Sequence, residues 1–235
     1  MRLLLEIQPS RNRDKLRRVL VRAGECFDEV FIPDSPMGYP KASTLSIASL
    51  AVELGLKATI SIRVIDYSWT GLVNQIYGAK IVGVKGILFL RGDAPVRGSI
   101  VNDLTPEQAL RLLKSDARLK DIEGGLTLSM RFPLDKILER VRENADFYVV
   151  LRKSREKVEQ VASVTNSKLI GYAIVVIEEN RDFVLSNFAH EDVVFINELK
   201  RHLEEWSPPL EALIISAPRA IEKTVEFVQR NSLCI

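Results

Sequence analysis

The chain has 235 residues, 46% of them hydrophobic and 27% charged, enough apolar material for one sizeable core. Its 33 basic and 31 acidic side chains leave a net charge of +2, which gives no electrostatic case for nucleic-acid or membrane binding. The two cysteines, Cys26 and Cys234, and the two histidines make no cystine framework and no metal-ligand spacing, so no metal is expected.

No apolar run reaches the roughly 18 to 20 residues of a membrane span. The opening "MRLLLEIQPSRN" carries Glu6 after a very short apolar stretch and does not read as a signal peptide. A soluble, cytoplasmic protein of a reducing compartment is the expectation. Along the chain, short β-rich runs alternate with stretches of helical period. "RLLLEI" (2–7) precedes "DKLRRVLVRAG", "EVFI" (29–32) precedes "STLSIASLAVELG", "ATISIRV" (58–64) precedes "TGLVNQIYGAKIVG", and "GILFL" (86–90) precedes "TPEQALRLLKS". The second half continues the rhythm with "LTLSM" (126–130), "DFYVVL" (146–151), "LIGYAIVVI" (169–177) and "ALIISA" (212–217). Their helical partners are "PLDKILERVREN", "REKVEQVASVT", a segment around "FINELKRHLEEW", and "AIEKTVEFVQRN".

Local signals mark the boundaries. Thr105 before Pro106 and Glu107 is a capping residue ahead of proline at the first helical position. Gly24, Gly55 and Gly83 follow helical runs and are expected to serve as left-handed C-terminal caps. The β-rich runs are apolar nearly throughout, as strands buried on both faces must be. Eight such units predict a single (β/α)8 barrel domain over residues 1–235, with a doubly wound open sheet as the alternative.

Ligands of such a barrel bind where the strands end, and the strand ends here carry polar residues: Glu6 and Gln8, Asp34, Asp66, Arg91 and Asp93, Arg131, Arg152, Glu178 and Glu179, and Arg219. Most strands that reach a surface end in polar residues, so solvation or mutual pairing is the plainer explanation for about half. Glu6 is different, because it lies inside an apolar run. Burial there raises a carboxyl pKa unless a cation pairs with it, and a raised pKa suits a proton donor. Arg91-Gly92-Asp93 also spells the adhesion tripeptide, a reading the composition does not favour. For Asp93, an ion pair to Arg91 or Arg63 is the structural alternative. The basic run "RNRDKLRR" (11–18) reads as a solvated helix face or a docking patch.

"GVKGILFLRGDAP" (83–95) resembles the fourth-strand motif of the methylenetetrahydrofolate reductases, flavin-dependent barrels whose strand ends in Leu-Arg-Gly-Asp followed by proline. "LLEIQPSR" (4–11) is similar to that family's first strand, "PDSPMGYPKASTLSIASLAVELGLKATISI" (33–62) to its second unit, and "NADFYVVL" (144–151) to the start of its sixth strand. The resemblance implies FAD as cofactor, a folate or related pterin as substrate, and NAD(P)H or a redox partner protein as electron donor. It implies reduction of a methylene-pterin to the methyl form, with Glu6 as general acid and Asp93 tuning flavin and iminium. Arg91 and Arg140 would face FAD phosphates, Asp66 and Ser61 fall at cofactor positions, and Gln8, Asp34 and Tyr67 at the substrate rim. A homo-oligomer or a partner subunit completes the expectation. The chain departs from the family in having Ser61 in place of a histidine and Leu151 in place of a folate-binding glutamine. A non-catalytic, reductase-like barrel that binds a pterin, or a flavoenzyme on another small substrate, is the alternative function.

Overall fold

A computed structural model describes residues 1–234; Ile235 lies outside the described residues. Among the described residues there are nine parallel strands: β1 (Arg2–Glu6), β2 (Glu29–Ile32), β3 (Lys57–Arg63), β4 (Gly86–Leu90), β5 (Glu123–Ser129), β6 (Phe147–Leu151), β7 (Lys168–Val176), β8 (Val193–Phe195) and β9 (Ala212–Ser216). The helices are α1 (Arg13–Gly24), α2 (Thr44–Glu53), α3 (Trp69–Val82), α4 (Pro106–Ser115), α5 (Leu134–Val141), α6 (Arg155–Ala162), α7 (Arg181–Asn187), α8 (Leu199–Trp206) and α9 (Ile221–Arg230). Strands β1 to β7 pair in sequence, β9 pairs with both β7 and β1, and the sheet closes as an eight-stranded barrel. The ninth strand, β8, was not expected: it adds to the outer end of β7 within the segment that bridges β7 and α8.

The barrel side chains separate into two sets by alternation along each strand. Outward residues such as Leu5, Val30, Ile60 and Leu213 pack with the helices into the main core, while Leu4, Phe31, Leu88, Phe147, Val149, Ile170 and Ile214 fill the interior. Each such fully buried aliphatic or aromatic side chain contributes about 1.5–3 kcal/mol. Phe147 reaches across the interior because β5 carries glycine opposite it: a Cβ on Gly125 would lie 2.2 Å from the Phe147 ring. At the N-terminal mouth, Glu29 accepts from the Thr59 hydroxyl at 2.7 Å and from Lys85 at 2.6 Å, and Lys168 meets Glu123 at 2.6 Å. Paired charge fills this lower layer, and the cavity continuous with the barrel interior opens at the C-terminal strand ends.

Of the helix ends that the sequence marks, all but one follow the local chemistry. Thr105 and Gln108 form a capping box at the start of α4. Gly55 and Gly83 adopt φ of 85° and 79° after α2 and α3, whereas Gly24 is the last residue of α1 itself and Glu25 caps that helix in a right-handed conformation. The cysteines overturn another expectation. Cys26, just beyond α1, and Cys234 at the C-terminus are joined as a disulfide across a sequence separation of 208. Linear spacing gave no sign of it, because α9 packs beside α1 only once the barrel has closed. A reducing compartment, expected for free thiols, does not follow from a bonded pair. No helix among the described residues is long and apolar enough to cross a membrane.

A bridge between the two ends of the chain removes much of the unfolded ensemble's freedom. Reduction is therefore expected to lower stability by about 2–5 kcal/mol. Thermal unfolding with and without reductant checks this, and an unchanged midpoint would show that the bridge contributes nothing.

Candidate active site

The C-terminal mouth opens into a cavity of about 290 Å³, at the small end of ligand pockets. Glu6 is one of the buried polar groups that line it. The strand β1 pattern that buries Leu4 inside the barrel turns Glu6 the same way, two residues later, and leaves it 5% exposed. Tyr172 on β7 donates its hydroxyl to Glu6 Oε2 at 2.5 Å, and Ser216 on β9 donates to Oε1 at 2.7 Å. Burial raises the Glu6 pKa, and the two hydroxyl bonds only partly offset it. Tyr172 is itself pushed well above the ordinary phenol value by burial and by the Glu6 charge, so it remains a donor. Apolar groups surround this triad: Phe31, Leu88, Leu90, Val149, Leu151, and Phe188 from the segment after α7.

A second polar cluster forms the side of the mouth. Arg63, an arginine within the apolar third strand, is 2% exposed and binds three loops. Its Nε donates to Asp66 Oδ2 at 2.9 Å, Nη1 to the Ser35 carbonyl at 2.8 Å, and Nη2 to the Asp93 carbonyl at 2.8 Å. Asp34 accepts the Arg63 amide at 3.1 Å and the Ser35 hydroxyl at 3.0 Å, while its own amide donates to Ser61 Oγ at 2.7 Å. Burial raises the Asp34 pKa despite these donors. Two carboxyl groups with raised pKa values thus line one apolar cavity. Such an arrangement can deliver a proton to a ligand atom or stabilise a cation formed there.

The sequence-derived site residues divide accordingly. Glu6, Ser61, Asp34 and Asp93 line the cavity. Gln8 does not: past the end of β1, it leaves the barrel and lines a separate groove beside α1 and α9. Asp66 is turned onto Arg63, and Tyr67 is half-buried outside the cavity lining, its pKa pushed up to about 12 by burial and the nearby Asp34 and Asp66 charges. Arg91 is exposed and has no ion-pair partner among the described residues. Arg140 sits in another groove, between α4 and α5, paired with Glu107 at 3.1 Å. Gly92 lines the cavity with φ of 85°, and a Cβ there would lie 2.8 Å from Arg63 Cγ, so the absence of a side chain makes room for Arg63. Asp93 makes no ion pair with Arg63; its backbone carbonyl takes that guanidinium and its carboxylate remains exposed at the rim.

Tyr172, Ser216 and Arg63 as a loop clamp were missed. Each is polar inside an otherwise apolar strand, the same signal that singled out Glu6. Among the described residues no group of three or more His, Cys, Asp or Glu side chains is placed to hold a metal.

The residues named for FAD do not converge. Ser61 and Asp93 lie at the cavity, Asp66 is committed to Arg63, Arg91 points to solvent, and Arg140 is in a different groove. The present arrangement therefore does not fit the dinucleotide.

No protein-family model and no curated protein sequence matches this chain. Solved structures do match over nearly its whole length, at identities that speak to fold alone. Oxaloacetate acetylhydrolase is 13% identical with a TM-score of 0.59, covering 98% of this chain and 80% of its own. A variant tryptophan synthase α-subunit from Pyrococcus furiosus is 12% identical with a TM-score of 0.63, covering 97% and 98%. An uncharacterized protein from Clostridium thermocellum that binds two copies of 5-methyl-5,6,7,8-tetrahydrofolic acid is 11% identical with a TM-score of 0.63, covering 99% and 95%. The chain is similar to these proteins as a closed barrel.

Proposed function

We propose that the chain is an enzyme acting on a reduced, folate-type pterin, and that Glu6 is its general acid in the reduction of a methylene-pterin to the methyl form. The buried carboxyl of Glu6, held by two hydroxyls at the base of a small apolar cavity, is the observation that carries the reading. The Leu-Arg-Gly-Asp strand motif and the folate-binding barrel from Clostridium thermocellum support the substrate class.

In this reaction the bond between the bridging methylene carbon and N10 breaks, and its electron pair goes to N10, which takes the Glu6 proton. The methylene remains on N5 as an iminium cation. A hydride adds to that carbon and completes the methyl group, and Glu6 regains a proton from solvent. The carboxylates of Asp93 at the rim and of the now ionised Glu6 face the transient cation, where negative charge lowers the barrier. The apolar walls keep competing water from the iminium carbon. The hydride donor is a reduced nicotinamide or flavin presented at the open mouth.

A second reading is a pterin-binding subunit without turnover, favoured by the dispersal of the flavin-contact residues. Calorimetric titration with 5-methyltetrahydrofolate, followed by an anaerobic assay of 5,10-methylenetetrahydrofolate with NADH, NADPH or reduced FAD, separates the two. We expect one pterin per chain and methyl product with at least one donor. Binding without product under every donor selects the subunit reading, and absence of any pterin binding refutes both.

A further inference from the structure

Glu6 and Ser216 sit on neighbouring strands, and the chain after each runs outward into a second concavity of about 470 Å³. Gln8 and Ser10 beyond β1 form one wall, and Arg219 to Lys223 at the start of α9 form the other. Leu16, Val19 and Ile177 make an apolar floor. The rim is cationic. Lys223 is taken by Glu179, but Lys15 and Arg219 have no ion-pair partner among the described residues. Arg219 is already positioned, its guanidinium carbon 3.9 Å from the centroid of the Phe183 ring. The residue before α9 is Ala220, whose side chain accepts nothing, so the first amides of that helix are left for another acceptor. Exposed Arg11 and Arg13 from the basic run extend the positive surface beyond Lys15. Glu222 is the one opposing charge in the lining that no cation takes.

We propose that this groove holds the carboxylate-bearing tail of the ligand whose ring lies over Glu6, an inference that rests on the pterin reading of the cavity. Gln8 is two residues beyond Glu6 on extended chain, about 7 Å along it, within reach of a tail leaving the cavity. An apolar floor under a cationic rim fits a tail with an aromatic body that ends in carboxylates. A bare phosphate would use the rim and leave the floor unmatched.

The test compares three ligands, 6-methyltetrahydropterin without a tail and 5-methyltetrahydrofolate as the mono- and triglutamate, on the wild-type chain and on Lys15→Ala/Arg219→Ala. Both side chains are exposed, so an unchanged melting temperature will certify the variant's fold. Wild-type chain is expected to bind the triglutamate about tenfold more tightly than the tail-less pterin, with a preference that weakens in high salt. The double variant is expected to lose most of that preference while binding the tail-less pterin as before. Equal wild-type affinity for all three ligands, or a double variant that keeps the full preference, overturns the tail groove and leaves the pterin site standing. Failure of every pterin to bind overturns the pterin reading, and the tail groove with it.

Discussion

Replacing Glu6 by glutamine is expected to reduce methylene-pterin turnover by about 10²–10⁴-fold, the usual contribution of a positioned acid, while methyl-pterin binding stays within a few-fold. Glutamine has nearly the same shape, and its carbonyl oxygen can still accept from Tyr172 while its amide donates to Ser216. What it lacks is the transferable proton. The pH profile supplies an independent check. Burial raises the Glu6 pKa, so the parent rate falls as pH rises through that raised value, and this limb should be absent from the residual activity of the variant. Tyr172→Phe removes a donor that favours the charged carboxylate, so it should move the limb to higher pH.

Stability should respond with a definite sign. The folded chain holds the Glu6 proton more tightly than the unfolded chain does. Its contribution is therefore complete below the unfolded carboxyl pKa of about 4.3 and is lost as pH rises through the folded value. Glutamine has no charge to bury, so the variant should melt at or above the parent temperature in alkaline buffer. Parent-like turnover in Glu6→Gln would remove Glu6 from the chemistry, and an alkaline melting temperature below the parent's would contradict the burial argument.

The largest loss of stability is expected at Arg63. Arg63→Met would leave Asp66 without its buried partner and the Ser35 and Asp93 carbonyls without donors, a change of the kind that costs about 3–5 kcal/mol. Arg63→Lys should recover little of it. A guanidinium spans three acceptors on three loops with a rigid planar fork, whereas one ammonium on a flexible stem cannot reach all of them together. Urea unfolding checks both: the midpoint should drop in each variant with the slope unchanged. If Arg63→Lys stays within about 0.5 kcal/mol of the parent, the three-loop clamp is not what holds the rim. Because Asp93 depends on Arg63 through its backbone, Arg63→Lys should also weaken pterin binding without changing the pH limb assigned to Glu6.

Glu6 and Arg140 mark how far the sequence reaches. Glu6 was legible because strand alternation and an apolar run together fix both the direction and the environment of a side chain. A polar group within such a run has nowhere to go but the interior. The closed barrel was legible for a similar reason, since eight apolar strands separated by helices admit few other ways to bury both faces. Arg140 lies on a helix, where position along the chain says little about which loop it will face, and Glu107 takes it up in a separate groove.

What the sequence by itself determined is local: eight of the strands and most helices, the capping threonine Thr105, and the burial of Glu6. Tertiary structure decided the rest. Tyr172 and Ser216, far from Glu6 in the chain, meet it only because β9 comes to lie between β1 and β7 as the barrel closes. Gln8, two residues from Glu6, is sent to a different concavity by the turn after the strand. Cys26 and Cys234 pair because α9 comes back against α1. Periodicity acts over a few residues and can be read one segment at a time. Contacts across barrel closure depend on every strand at once, so no single segment contains them.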